Sequence, residues 1–357
     1  MKNSNKNSSN RKFFLIILLS LLLVLDNYIH AIENESVYTV EVNIPPYDSL
    51  NSEHFLISTI SDWSHINDSN KRYFYVEPHS GYGTITITAD GTAEQKRYIS
   101  LYNGNNTHPA KLSDAQQADV QLIFSNAHYW VVDRMSSIDP GGVVCYTVAD
   151  HSQNIVLNRI HLKNFYNGFV IKGTLNTPYT ENITIQNSRI DPMSAAGIDA
   201  DRVAILLTGE AWNISRTLKN TKILNNEIKN CNDGVMPLRH PAVSGLEVDY
   251  PGTIIDCNHI YVDSDVYTDG NGNYDPNGLW AWTENAIDLK GGSNDPNNPM
   301  IISNNYLWGY RRTDTNGGGS GSWGPASDGH YHVKNVIIKD NVIFDSNRGI
   351  CFSDPGG

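Results

Sequence analysis

The chain has 357 residues, of which 39% are hydrophobic and 18% are charged. Its 41 Asn and 28 Gly residues favour turns and argue against a helical bundle or a coiled coil. Its 9 Phe, 7 Trp and 19 Tyr argue against disorder, because so many aromatic side chains need burial. The composition therefore predicts a strand-rich, turn-rich protein with a long core.

Residues 1–31 have the pattern of a secretory signal peptide. Basic residues precede an apolar segment from Phe13 to Leu25, and Ala31 offers a small residue for cleavage. That apolar segment is short for a membrane span, so we favour cleavage over a retained anchor. We expect an exported protein, extracellular or periplasmic, with no membrane segment after cleavage.

The mature surface is predicted to be strongly acidic. Removing residues 1–31 takes away four positive charges and one negative charge, so the net charge of −12 becomes −15. Such a surface disfavours nucleic acid as a partner. It also repels acidic sugars unless a local basic patch receives them.

A short pattern recurs from residue 154 onward: an apolar anchor, a second apolar residue five positions later, and a turn. The anchors are Leu157, Ile185, Ile223, Ile255, Ile302 and Ile338. The second apolar residues are Leu162, Ile190, Ile228, Ile260, Leu307 and Ile343. The position three after the anchor is Ile160, Ser188, Asn226, Asn258, Asn305 and Asn341, in that order.

Short strands, Asn and Gly bends and irregular repeat lengths predict an all-β, right-handed parallel β-helix. The Asn column is expected to satisfy backbone groups at one bend. A β-sandwich is the alternative, but it calls for hairpins with Asn-Gly turns, which are few. We predict a capping segment over 32–75 and a single β-helix domain over 76–357, with long loops on one edge.

The second strand of each repeat predicts an exposed strip. Residues one and three after a Gly-like start are apolar and should face inward, so the alternate residues face outward. Neighbouring coils then bring outward charged residues together as a substrate-binding strip. Its members are Lys172, Asp199, Asp201, Asp288 and Lys290.

Two insertions predict a cleft beside this strip. Residues 261–283 and 308–328 follow equivalent strands on neighbouring coils, so both should leave the same corner of the helix. Trp282, Trp308 and Tyr310 lie in or near them and suit stacking against sugar rings. The alternative is that these aromatic residues pack the loops onto the solenoid.

The first insertion also contains part of a calcium-binding pattern. Asp269, Asn271, Asn273 and Asp275 place oxygen side chains at alternate positions around glycines. Glu284 is the nearest later carboxylate that would complete such a Ca²⁺ site. A solvated turn is the alternative.

Lys290 is the candidate base. A partly desolvated lysine can lose its proton and abstract the proton α to a uronate carboxyl group, provided that Ca²⁺ or an arginine neutralises that carboxylate. The simpler alternative is a lysine that only pairs with Asp288. The candidate catalytic residues are Lys290, Arg311, Arg312, Arg239 and His240.

The segments DGTAEQKRYISLYNG and AHYWVVDRM, with repeated NxxIxxN phrases, resemble the right-handed parallel β-helix proteins of the pectin-lyase-like superfamily. Within it, the chain looks like the chondroitinase B and alginate lyase type. That resemblance implies Lys290 as the base, Arg311 or Arg312 as its partner from the neighbouring coil, and Glu284 as a calcium ligand. The family has two acidic ligands two residues apart, whereas Asn285 and Ala286 follow Glu284 here.

These observations favour a monomeric lyase that cleaves an acidic, uronate-containing polysaccharide by β-elimination. One alternative is a glycoside hydrolase, for which Asp199 and Asp201 are close enough to act as a carboxyl pair. The other is a non-catalytic β-helix that binds glycans or serves as an adhesin.

Overall fold

The structure is a computed structural model. It describes residues 35–102, 117–138, 144–191, 202–209, 216–238, 248–263, 266–267, 273, 275, 283–311, 323–327 and 333–352, with the backbone alone at 323–327 and 351–352. None of its helices has the length and apolar character that a membrane crossing requires, within these residues.

Parallel strands stack into three sheets. Sheet 1 runs through β1 (His54–Ile57), β2 (Tyr73–Val76), β4 (Arg97–Leu101), β6 (His128–Asp133), β9 (Gln153–Asn158), β12 (Thr180–Gln186), β16 (Lys222–Leu224), β20 (Ile254–Asp256), β23 (Met300–Ser303) and β26 (Val336–Lys339), with β15 (Arg216–Lys219) and β19 (Val248–Asp249) at its side. Sheet 2 contains β7 (Ser136–Ser137), β10 (His161–Lys163), β13 (Arg189–Asp191), β17 (Glu227–Lys229), β21 (His259–Tyr261), β24 (Tyr306–Trp308) and β27 (Val342–Phe344). Sheet 3 contains β3 (His79–Ile87), β5 (Ala118–Ser125), β8 (Val144–Ala149), β11 (Asn167–Gly173), β14 (Val203–Gly209), β18 (Asp233–Pro237), β22 (Asn285–Asp288), β25 (Trp323–Ser327) and β28 (Cys351–Phe352).

The repeat found in the sequence sets the register of the sheets. Each anchor from Leu157 to Ile338 pairs with the next in sheet 1. Each second apolar residue from Leu162 to Ile343 pairs with the next in sheet 2. The predicted parallel β-helix is therefore confirmed.

A column of polar side chains fills the bend between sheets 1 and 2. The Asn258 side-chain oxygen accepts from the backbone N–H of Asn226 at 3.0 Å, and the Asn305 oxygen accepts from that of Asn258 at the same distance. Ser188 and Asn341 continue the column at its two ends. We call these residues the Asn ladder, and its predicted role in satisfying the backbone is confirmed.

The N-terminal segment crosses the outside of sheet 1. Ser36 Oγ donates to Asp256 Oδ2 at 2.6 Å, and the backbone of Val40 exchanges two hydrogen bonds with the side chain of Gln186. A 3-10 helix, Ile60–Asn67, then buries Trp63 against the first coil. The segment around Val40 thus forms a rim along sheet 1.

Candidate active site

Strands β18 and β22 of sheet 3 carry the site. Asp233 pairs with Asn285 where the strands begin, and Val235 pairs with Ile287 two residues later. Val235 and Ile287 are fully buried in the core, as the alternation predicts. This apolar pairing fixes the register that brings the polar residues of the two strands together.

Three carboxylates meet at these strands. Asp233, Glu284 and Asp288 each offer an oxygen, and the three oxygens lie within 4.8 Å of one another. Asp233 is 1% exposed and Asp288 is 0% exposed, whereas Glu284 is half-buried. We call these residues the carboxylate cluster.

The electrostatics of the cluster are unfavourable for three ionised groups. Burial raises the pKa of Asp233 well above its usual range, and the charges of Asp288 and Glu284 raise it further. The backbone N–H and the side-chain amide of Asn285 donate to Asp233 Oδ1 at 3.1 and 3.3 Å. The Asn285 side-chain oxygen is buried and accepts no hydrogen bond from any residue that the structure describes.

Lys290 is the cation of the site. Its Nζ lies 2.7 Å from Asp288 Oδ2, and its side chain is 20% exposed. Burial lowers the pKa of Lys290, but the charges of Asp288, Asp233 and Glu284 more than offset it, so the pKa lies above the usual value. Lys290 is therefore an ammonium ion here, and it becomes a base only when the carboxylates are neutralised.

Two predicted sugar contacts are wrong. Asp288 was expected to face outward, but it is fully buried and holds Lys290. Tyr310 was expected to stack on a sugar, but it is also fully buried, and its pKa is raised by burial and by Cys231, Asp233 and Tyr267. Asp288 is covered by packing over the outer side of its strand, and Tyr310 packs into the core rather than lining a cleft.

The structure describes three further residues of the predicted catalytic and substrate-binding set, which are Arg311, Trp308 and Lys172. Arg311 Nε donates to both carboxylate oxygens of Asp345 at 2.9 Å. Trp308 stacks on Tyr261 with ring centroids 4.7 Å apart. Lys172 is three strands from β22 in sheet 3, about 14 Å at the usual spacing.

The two predicted insertions begin at the same corner. Tyr261 ends β21, Trp308 ends β24, and the two residues pair directly. Asn273 is exposed and Asp275 is half-buried, while Glu284 of the proposed calcium loop belongs to the carboxylate cluster. The remaining predicted site residues lie outside the described part of the chain: Asp199, Asp201, Arg239, His240, Asp269, Asn271, Trp282 and Arg312.

Asp233 is the residue that the sequence reading missed. It precedes a Gly at the start of a second strand and therefore occupies the same place in its coil as Asn285 in the next. Comparing that place between coils, rather than comparing the outward positions alone, would have found it.

No family model and no curated protein matches this sequence. Among solved structures, an alginate lyase from Paenibacillus sp. str. FPU-7 is 15% identical, covering 84% of this chain and 99% of its own, with a TM-score of 0.48. PfbA, a surface adhesin of Streptococcus pneumoniae, is 14% identical over 81% of this chain and 76% of its own, with a TM-score of 0.42. The PL6 family alginate lyase AlyGC is 11% identical over 84% of this chain and 53% of its own, with a TM-score of 0.34. Likeness at this level does not identify an activity.

Proposed function

We propose that this protein is an exported lyase that cleaves a uronate-containing polysaccharide by β-elimination. One observation carries the proposal: a half-buried lysine at the surface end of a cluster of three carboxylates. Lys290 is the member of this group that combines a basic nitrogen with partial exposure. The export of the chain rests on the pattern of residues 1–31.

The carboxylate cluster fits a divalent cation, and Ca²⁺ is the cation that we propose. Ca²⁺ prefers several oxygen ligands, including carboxylates and amide oxygens. Asp233, Glu284 and Asp288 supply the carboxylates. Asn285, which contacts Asp233, adds a side-chain oxygen that accepts no hydrogen bond within the described part of the chain. Carboxylates held this close together are stabilised when a cation replaces their protons.

A bound cation supplies charge that neutralises carboxylates at the site. Without the charges of Asp233, Glu284 and Asp288, the burial of Lys290 dominates and lowers its pKa. The carboxylate of Asp288 holds the Lys290 amine in position, with Asp288 Oδ2 2.7 Å from Nζ.

The reaction moves one proton and breaks two bonds to carbon, the C–H bond next to the carboxyl group and the C–O bond of the glycosidic link. The neutral amine of Lys290 takes the proton from the carbon next to the uronate carboxyl group. The electron pair of that C–H bond forms a C=C bond as the glycosidic oxygen leaves from the adjacent carbon. The departing oxygen takes the proton from the Lys290 ammonium, which restores the base.

A hydrolase at the same place is less well supported. It requires a carboxylic acid that touches the glycosidic oxygen and a second carboxylate that acts at the sugar. Asp233 has the raised pKa of an acid, but it is 1% exposed. Burial of Asp233 and Asp288 therefore suits cation binding better than contact with a sugar.

The test is to incubate the purified protein with alginate, pectate, chondroitin and glucuronan in Ca²⁺ or in EDTA. The proposal predicts ultraviolet absorbance from unsaturated uronate ends in Ca²⁺ with at least one polymer. New reducing ends without that absorbance would establish a hydrolase instead. Neither product from any of the polymers would overturn the proposed activity.

A further inference from the structure

The outer face of sheet 1 has a groove that is separate from the carboxylate cluster. It encloses about 350 Å³, within the range typical of ligand sites. Its lining residues are Val40, Ala93, Lys96, Tyr129, Asn154, Val156, Asn182, Thr184, Asn220 and Lys222. The carboxylate cluster lies on sheet 3, so the groove opens on a different sheet of the β-helix.

The groove has two rows of side chains along the axis of the helix, one of amides and one of mixed character. Asn154 on β9 and Asn182 on β12 occupy equivalent positions, and Asn220, in the turn before β16, occupies that position on the next coil. Asn220 Nδ2 donates to Asn182 Oδ1 at 3.1 Å, and Asn182 Nδ2 donates to Asn154 Oδ1 at 3.2 Å. Each amide nitrogen carries two N–H groups, and this row of hydrogen bonds uses one from Asn220 and one from Asn182.

The second row lies beside the amides on the same face and consists of Val156, Thr184 and Lys222. Val156 pairs with Thr184, and Thr184 pairs with Lys222. Tyr129 adds a half-buried ring at one end of the groove, and the N-terminal segment closes one side at Val40. Amide donors beside Val156 and the ring of Tyr129 match a sugar chain, which carries hydroxyl groups at its edge and C–H groups on its faces.

The charge of the groove selects the kind of sugar. Lys96 and Lys222 lie in the groove, four strands apart, which is about 19 Å of sheet. Lys222 contacts the ring of Tyr38, and neither lysine forms an ion pair with a described carboxylate. The described residues that line the groove include no acid, in a chain whose net charge is −12. A local basic site on an acidic protein attracts an anionic ligand.

We propose that this groove is a second glycan-binding site, which holds an extended segment of an anionic polysaccharide without cleaving it. Lys96 and Lys222 bind two acidic groups of the chain. The Asn amides bind its hydroxyl groups, and Tyr129 packs against a sugar face. This site does not depend on the proposed lyase activity.

The first test measures binding in EDTA by calorimetry, with alginate hexasaccharides as the anionic probe and maltohexaose as the neutral one. Lys96→Gln with Lys222→Gln should weaken alginate binding roughly tenfold, because two charge contacts are lost. A control that also removes two positive charges, Lys334→Gln with Lys339→Gln, should bind like the wild type because both lysines are exposed on the last coil. Equal binding by the two double variants, or equal binding of maltohexaose and alginate, would overturn the proposal.

A second variant tests the sugar-stacking role with little risk to the fold. Tyr129 has a left-handed φ of 59°, and the same position holds Asn154 and Asn182 on the next strands, at φ 57° and 58°. Asn adopts this conformation readily, so Tyr129→Asn should fold and bind alginate several-fold more weakly. Unchanged affinity would remove Tyr129 from the site.

The two proposals fail in distinguishable ways. Lys290→Ala should bind alginate hexasaccharides in EDTA as tightly as the wild type, because the groove is intact. Loss of that binding in Lys290→Ala would place the ligand at the carboxylate cluster and overturn the second site. A groove that binds alginate in a protein without lyase activity would leave the groove established and the lyase refuted.

Discussion

The Asn ladder and the carboxylate cluster are both buried polar groups in the same solenoid, but their chemistry is opposite. In the ladder, Asn226, Asn258 and Asn305 each accept from one neighbour and donate to another at 2.8–3.0 Å. In the cluster, Asp233 and Asp288 are acceptors of the same charge held close together. Buried polar groups that satisfy one another stabilise a fold, whereas like charges that do not satisfy one another indicate a ligand.

Removing the base is expected to have the largest effect. If the cluster serves chemistry, Lys290→Ala should lower the rate of unsaturated product formation roughly a thousandfold, since general base catalysis is lost. Lys334→Ala, at an exposed position in the last coil, should retain the wild-type rate. A Lys290→Ala protein with the rate of the control would show that Lys290 only pairs with Asp288.

Interrupting the ladder should instead cost stability. Asn258→Ala removes the amide that joins the coils of Asn226 and Asn305 and leaves buried backbone groups unpaired, so we expect a loss of about 2–4 kcal/mol in free energy of unfolding. Denaturant unfolding measures this loss of free energy. The comparison would be undermined if Asn258→Ala were as stable as the wild type.

The pH dependence of metal-free stability should follow the cluster. The folded-state pKa of Asp233 is raised, so its contribution is fully present below the unfolded pKa of about 4 and is lost as pH rises toward the folded pKa. In EDTA, the free energy of unfolding should fall by up to about 1.4 kcal/mol per pH unit across that window. Saturating Ca²⁺ should flatten the decline, and a flat profile in EDTA would contradict the raised pKa.

Substitutions of Asp233 and of Asp288 should change the free energy of unfolding in opposite directions. Asp233→Asn removes a buried charge and keeps an oxygen for Asn285, so metal-free protein at pH 8 should gain about 1 kcal/mol and lose its response to Ca²⁺. Asp288→Asn leaves Lys290 without its charged partner at 2.7 Å, so it should lose stability. Denaturant unfolding in EDTA compares them, and destabilisation by both variants would remove the distinction.

The sequence predicted the solenoid because its period is written into apolar anchors such as Ile223 and Ile255 and into the Asn column. It also assigned Lys290 and Glu284 to one predicted site, and the structure places both residues beside Asp288. It failed for Asp288, because alternation along a strand shows which side of a sheet a residue faces, but not what covers that side. It failed for Tyr310, because a place in an insertion does not show whether an aromatic side chain lines a cleft or packs into the core. Asp233 was not predicted, because its role depends on the pairing of its strand with that of Asn285, which lies 52 residues away along the chain.

The most direct test is anomalous X-ray scattering from crystals of the protein soaked in Ca²⁺. We expect an anomalous peak among the carboxylates of Asp233, Glu284 and Asp288, with Lys290 beside it. A peak only at other positions, with Lys290 still paired to Asp288 and the cluster empty at saturating Ca²⁺, would contradict the account.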